Sequence, residues 1–165
     1  MKYVLLLVFL LINSTVFAGT TVFGLELGKT TESELKKKYR VFPSKTSKWP
    51  GGNEYTILTE NINIDGLILL KAFFNNNNIL VSIIAAFPNS KFEYLNKLLG
   101  EKYKLMRSDI GSSYKMTKYY DKTTEITIDT GRFFLTVSYI DIIILDCPVK
   151  RKEELDSEQE IKSLL

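Results

Sequence analysis

The chain has 165 residues, 45% of them hydrophobic and 25% charged, with a formal net charge of +3. These are the proportions of an ordinary globular protein, and so even a balance does not imply nucleic-acid binding, which usually shows a strongly basic face. Histidine is absent and cysteine occurs once, at Cys147. No intramolecular disulfide can form, and neither a histidine base nor a metal site of the usual nitrogen and sulfur ligands is expected; no cofactor is expected either.

The chain opens on Lys2, an apolar run from Val4 to Ile12, polar Asn13 to Thr15, and small residues at Val16 and Ala18. This is the layout of a secretory signal peptide over 1–18, cut between Ala18 and Gly19. The rival is an uncleaved membrane tether, but the apolar run is about half of the roughly 20 residues that span a bilayer. The mature protein is expected in the periplasm or medium, with no transmembrane span. No cysteine stands at the new N-terminus, so a lipoprotein is not expected. The rest suits one domain over 19–149, followed by a charged tail over 150–165 read as a frayed helix.

Thr20 to Leu27 reads as a short strand ending at Gly28. Thr31-Glu32-Ser33-Glu34 forms a capping box and predicts a helix to about Tyr39. Pro43 and Ser44 to Asn53, with Trp49-Pro50-Gly51-Gly52, read as a loop. Strands follow at Tyr55–Thr59, Leu67–Phe74 and Ile79–Phe87, the last two joined by the asparagine turn at 75–78. A second helix is expected from a capping box at Ser90-Lys91-Phe92-Glu93, ending at Gly100. Four further strands are expected at Tyr103–Arg107, Tyr114–Tyr120, Glu125–Asp129 and Phe133–Ile140. Segments 31–87 and 90–140 therefore share a pattern, with N-caps 59 positions apart and Leu35 matched to Leu95. The fold class read from this is α+β, an antiparallel sheet with helices on one face, built as a tandem duplication of an α-β-β-β unit.

Gly24 to Thr30 imitates a phosphate-binding loop before a helix, with Ile142 to Asp146 as a magnesium-holding strand. The spacing fails: three residues separate the glycines where four are needed, and Glu26 would repel phosphate. Among carboxylates, Glu26, Asp65, Asp109, Glu125 and Asp129 fall at strand ends or turns. Nothing in their spacing brings two together for general acid–base work. A serine–lysine nucleophile has no paired motif. No catalytic residue is assigned. Lys36, Lys37, Lys38, Arg40, Lys45 and Lys48 concentrate positive charge, and Trp49 beside them, the only tryptophan, suits an interface anchor. Lys36, Lys37, Arg40, Lys48 and Trp49 are the expected partner contacts.

Val22-Phe23-Gly24-Leu25-Glu26-Leu27-Gly28-Lys29-Thr30-Thr31, continued through Leu35 to Tyr39, resembles uncharacterised small exported proteins of Gram-negative bacteria. Asp65-Gly66-Leu67, Phe92-Glu93-Tyr94-Leu95 and Lys102-Tyr103 are similar to that group as well. The paired helix-and-hairpin pattern looks more loosely like the β-lactamase-inhibitor-like and BamE-like α+β folds, whose members act by binding proteins. The disulfides of the first and the lipid-bearing cysteine of the second are missing here. The expectation is a non-enzymatic exported binding or envelope-accessory protein with an envelope protein as partner. The alternative is a small secreted hydrolase using carboxylates or a serine without histidine.

Overall fold

The computed structural model describes residues 19–46 and 50–145. The signal segment, Lys48, Trp49, Cys147 and the charged tail lie outside them. Elements run in the order β1 (Thr21–Val22), β2 (Leu25–Glu26), α1 (Glu32–Lys38), β3 (Val41–Thr46), β4 (Gly51–Ile57), β5 (Leu69–Asn75) and β6 (Leu80–Phe87). Then come α2 (Phe92–Lys102), β7 (Lys104–Ile110), β8 (Lys115–Asp121), β9 (Thr124–Thr130), β10 (Leu135–Asp141) and the short α3 (Ile142–Leu145). Eight strands form one antiparallel sheet in the order β3-β4-β5-β6-β10-β9-β8-β7, so α+β is the class, and the last strands of the two halves meet at its centre.

Local chemistry explains most boundaries. Thr31 accepts from the Glu34 amide and Glu34 returns the bond to the Thr31 amide, so the first capping box forms as expected. The asparagine turn also forms: Asn75 Oδ1 accepts from the amides of Asn77 and Ile79, and Asn78 takes a φ of 59°. Along β5, Leu70, Ala72 and Phe74 are buried at alternate positions, whereas β6 is buried almost throughout, as suits a central strand.

Four expectations need correcting. The mature start is a two-residue hairpin instead of a single strand, turning on Phe23 and Gly24, both with positive φ. The loop expected over 44–53 begins inside a strand: β3 pairs with β4 from Val41 to Thr46, so each helix is followed by four strands and the α-β-β-β unit is one strand short. Pro43 is tolerated because β3 is an edge strand. The second capping box does not form. Asn89–Lys91 is a 3-10 turn, the cap residue is Lys91 without a side-chain bond, and Glu93 pairs with Lys115 instead. Gly100 does not end α2, which continues to Lys102.

Pairing registers align Tyr55, Ala72, Ile83, Tyr139, Ile126 and Tyr119 in one row across six strands. This row lies in the main core, to which α1 and α2 contribute Leu35, Phe92 and Leu99, and the hairpin Val22, Leu25 and Leu27. Near its two ends, tyrosine hydroxyls clasp the helices. Tyr55 donates to Glu32 at 2.6 Å, and Tyr119 donates to Asn96 Oδ1 at 2.7 Å. Each tyrosine follows its helical partner by 23 residues.

Candidate functional site

The candidate carboxylates do not converge. Glu26 Oε1 accepts from the Gly19 amide at 3.1 Å, and its other oxygen pairs with Lys29. Asp65 pairs with Lys91, Asp109 with Arg107, Glu125 with Lys118, and Asp129 accepts from Thr136. Among the described residues there is no group of three or more potential metal ligands, and no helix long and apolar enough to cross a membrane.

The basic stretch is divided by the fold. Lys36 pairs with Glu32 at 3.4 Å and lies 4.8 Å over the Tyr55 ring; the Tyr55 hydroxyl and Glu32 together raise its pKa. Lys38 donates to the Gly24 carbonyl at 2.7 Å and pins the hairpin turn to α1. Lys37 and Arg40 are exposed, and neither makes an ion pair among the described residues. Glu32 is the electrostatic hub of this region. Desolvation, the largest single influence, pushes its carboxyl up, but bonds from Tyr55, Asn53 and Lys36 outweigh that and hold it below the ordinary value.

The sequence did not single out the exposed apolar residues at two hairpin tips. The β7–β8 and β9–β10 links are built alike. Gly111 donates to the Tyr114 carbonyl at 2.8 Å, and Gly131 donates to the Phe134 carbonyl at 3.0 Å. A Cβ on either glycine would press on that carbonyl, at 3.2 Å and 2.8 Å, which accounts for glycine opening both tips. Lys115 and Thr130 bond to each other where the hairpins adjoin, and Asn89 ties the second tip to the turn before α2.

Side by side, the tips present Ile110 and Tyr114 from one and Phe133 and Phe134 from the other. Phe133 is 75% and Phe134 45% exposed, with the Arg132 guanidinium 5.4 Å from the Phe133 ring. Burying one such ring is worth about 1.5–3 kcal/mol, which this conformation forgoes. The patch combines aromatic surface with one cation, the mixture that binding hot spots favour. A repeated Gly-x-x-aromatic link between strands was its sequence signal: Gly111-Ser112-Ser113-Tyr114 and Gly131-Arg132-Phe133-Phe134.

Compared with known proteins, the chain matches no family model, no curated protein and no solved structure.

Proposed function

We propose that this is an exported, non-enzymatic binding protein that holds an envelope protein through its paired hairpin tips. The exposed Phe133–Phe134 pair beside Ile110 and Tyr114 carries the reading. Lys37 and Arg40 supply a second, electrostatic contact together with Lys48 and Trp49, while Lys36 serves mainly to brace α1. Crosslinking in intact cells, followed by capture and mass spectrometry, tests this. The expected result is one dominant partner, lost in F133S/F134S, weakened in K37E/R40E, and retained when Asp109, Glu125 or Asp129 is neutralised. Loss only in the carboxylate variants would favour the hydrolase reading instead.

Export with cleavage after Ala18 would have a testable consequence at Gly19. Its amide meets Glu26, and a Cβ there would lie 2.1 Å from the Leu27 carbonyl, so only glycine fits. Cleavage after Ala18 would turn that amide into an ammonium facing a carboxylate. The periplasmic product is expected to have the mass of a chain starting at Gly19. E26Q would leave that ammonium without its carboxylate and is expected to unfold at lower urea than the wild type at pH 7. An N-terminus elsewhere would remove the pairing.

The architecture itself we read as a tandem duplication of an α-β-β-β-β unit with both helices on one face. Support comes from a constant offset of 64 residues, in place of the 59 that the N-caps suggest. At this offset Glu32 meets Asn96, Leu35 meets Leu99, Tyr39 meets Tyr103, and Tyr55 meets Tyr119. Tyr39 and Tyr103 both end their helices, donating to the carbonyls of Leu35 and Leu99.

A further inference from the structure

A groove of about 220 Å³ opens between α2, the Phe23 turn of the β1–β2 hairpin and the segment around Ile64. Its floor is the seam between β6 and β10, at Ala85, Val137 and Tyr139, and its α2 wall carries Leu95 and Leu98. Lys102, exposed at the end of α2, is the single cation among the lining residues and lies 4.9 Å over the Tyr103 ring.

Leu95 packs against the main core, whereas Leu98 is exposed beside it, and the duplication proposed above sets α2 against α1 at both positions. With Leu35 aligned to Leu99 and Tyr39 to Tyr103, the positions of Leu95 and Leu98 fall on Thr31 and Glu34 of α1. There the two residues are polar and bond to each other as the capping box. In α2 both are apolar, Leu98 is 42% exposed, and Ile64 opposite is 41% exposed. An exposed leucine with no apolar counterpart in α1, turned into a concavity opposite Ile64, suits a binding wall. Tyr139 adds a polar group to the floor. Burial and the neighbouring Tyr103 push its pKa far up, so it stays neutral, and its hydroxyl makes no hydrogen bond among the described residues.

We propose that this groove takes the alkyl end of a single-chain carboxylate, a medium-chain fatty acid, with Lys102 facing the carboxylate. At about 30 Å³ for an atom-sized group, the volume holds roughly seven carbons, so the polar end reaches the rim where Lys102 stands. Neutral Tyr139 does not repel such an anion.

The test needs no protein partner and so is independent of the hairpin-tip reading. The purified exported protein is titrated calorimetrically with decanoate and with decanol. Saturable one-to-one binding of decanoate below about 1 mM is expected, with decanol weaker. L98E gives exposed Leu98 the residue α1 already carries, and should weaken decanoate at least about tenfold with an unchanged circular dichroism spectrum. I64E, on an exposed segment, should do the same and serves if the helix variant misfolds. K102Q should weaken decanoate but leave decanol alone. No saturation below that concentration, or unchanged affinity in both wall variants, overturns the groove. Equal affinities for the two ligands overturn the role of Lys102.

Discussion

Replacing Glu32 by alanine is expected to cost about 3 kcal/mol, because the change strands buried donors as well as removing a charge. Glu32 is buried against the sheet. It accepts from Tyr55 at 2.6 Å and Asn53 at 2.9 Å and is faced by Lys36. Without it the Tyr55 hydroxyl loses its acceptor inside the core, and α1 loses its polar tie to β4. Glu32→Gln keeps the volume but turns an amide donor toward groups that are already donors, so it should recover only part of the loss.

The pH dependence has a definite sign. The folded carboxyl lies below its ordinary value, so its contribution is present above the unfolded pKa of about 4.3 and disappears as pH falls through the folded one. Urea midpoints measured from pH 7 down to pH 3 should therefore fall more steeply in the wild type than in E32Q. Parallel curves would mean that the hub stores no charge-dependent stability.

Two glycine substitutions should move stability in opposite directions. A Cβ on Gly52 in β4 would lie 2.3 Å from the Asn75 carbonyl oxygen and 2.4 Å from that of Phe74. Both belong to the backbone of β5, which is paired on both sides and cannot yield as a side-chain tip would. Gly52→Ala should thus cost about 3 kcal/mol, at the upper end of overpacking losses. In α2, a Cβ on Gly100 meets Tyr119 at ordinary contact, 3.6 Å, and the site is exposed. Gly100→Ala should raise stability by up to about 1 kcal/mol, the helix-propensity difference. Chemical unfolding of the two variants beside the wild type reads both signs, and a loss in G100A would show the Tyr119 contact to be tighter than ordinary van der Waals contact.

What could be read from sequence followed the range of the forces involved. The Thr31 box and the asparagine turn are settled within five residues, and both form as expected. At Ser90 the same local logic failed, because the chain enters α2 through a 3-10 turn after Pro88 and Glu93 is drawn to Lys115 on another strand. β3 was missed because Pro43 and lysines read as loop, though an edge strand accepts both. Nor did composition reveal the clustering at the hairpin tips, since the four residues come from two links 20 positions apart, at Gly111 and Gly131. The basic stretch was visible as charge, but only geometry separates Lys36, committed to Glu32, from exposed Lys37 and Arg40.

The seam between β6 and β10 also bears on how the chain is made. During synthesis β6 emerges long before β10, its eventual neighbour. Until then Leu80-Val81-Ser82-Ile83-Ile84-Ala85-Ala86-Phe87, without a single charge, is a bare sheet edge. A nascent or stalled chain is therefore stickiest at its midpoint, and its solubility depends on the second half arriving before another copy of the first.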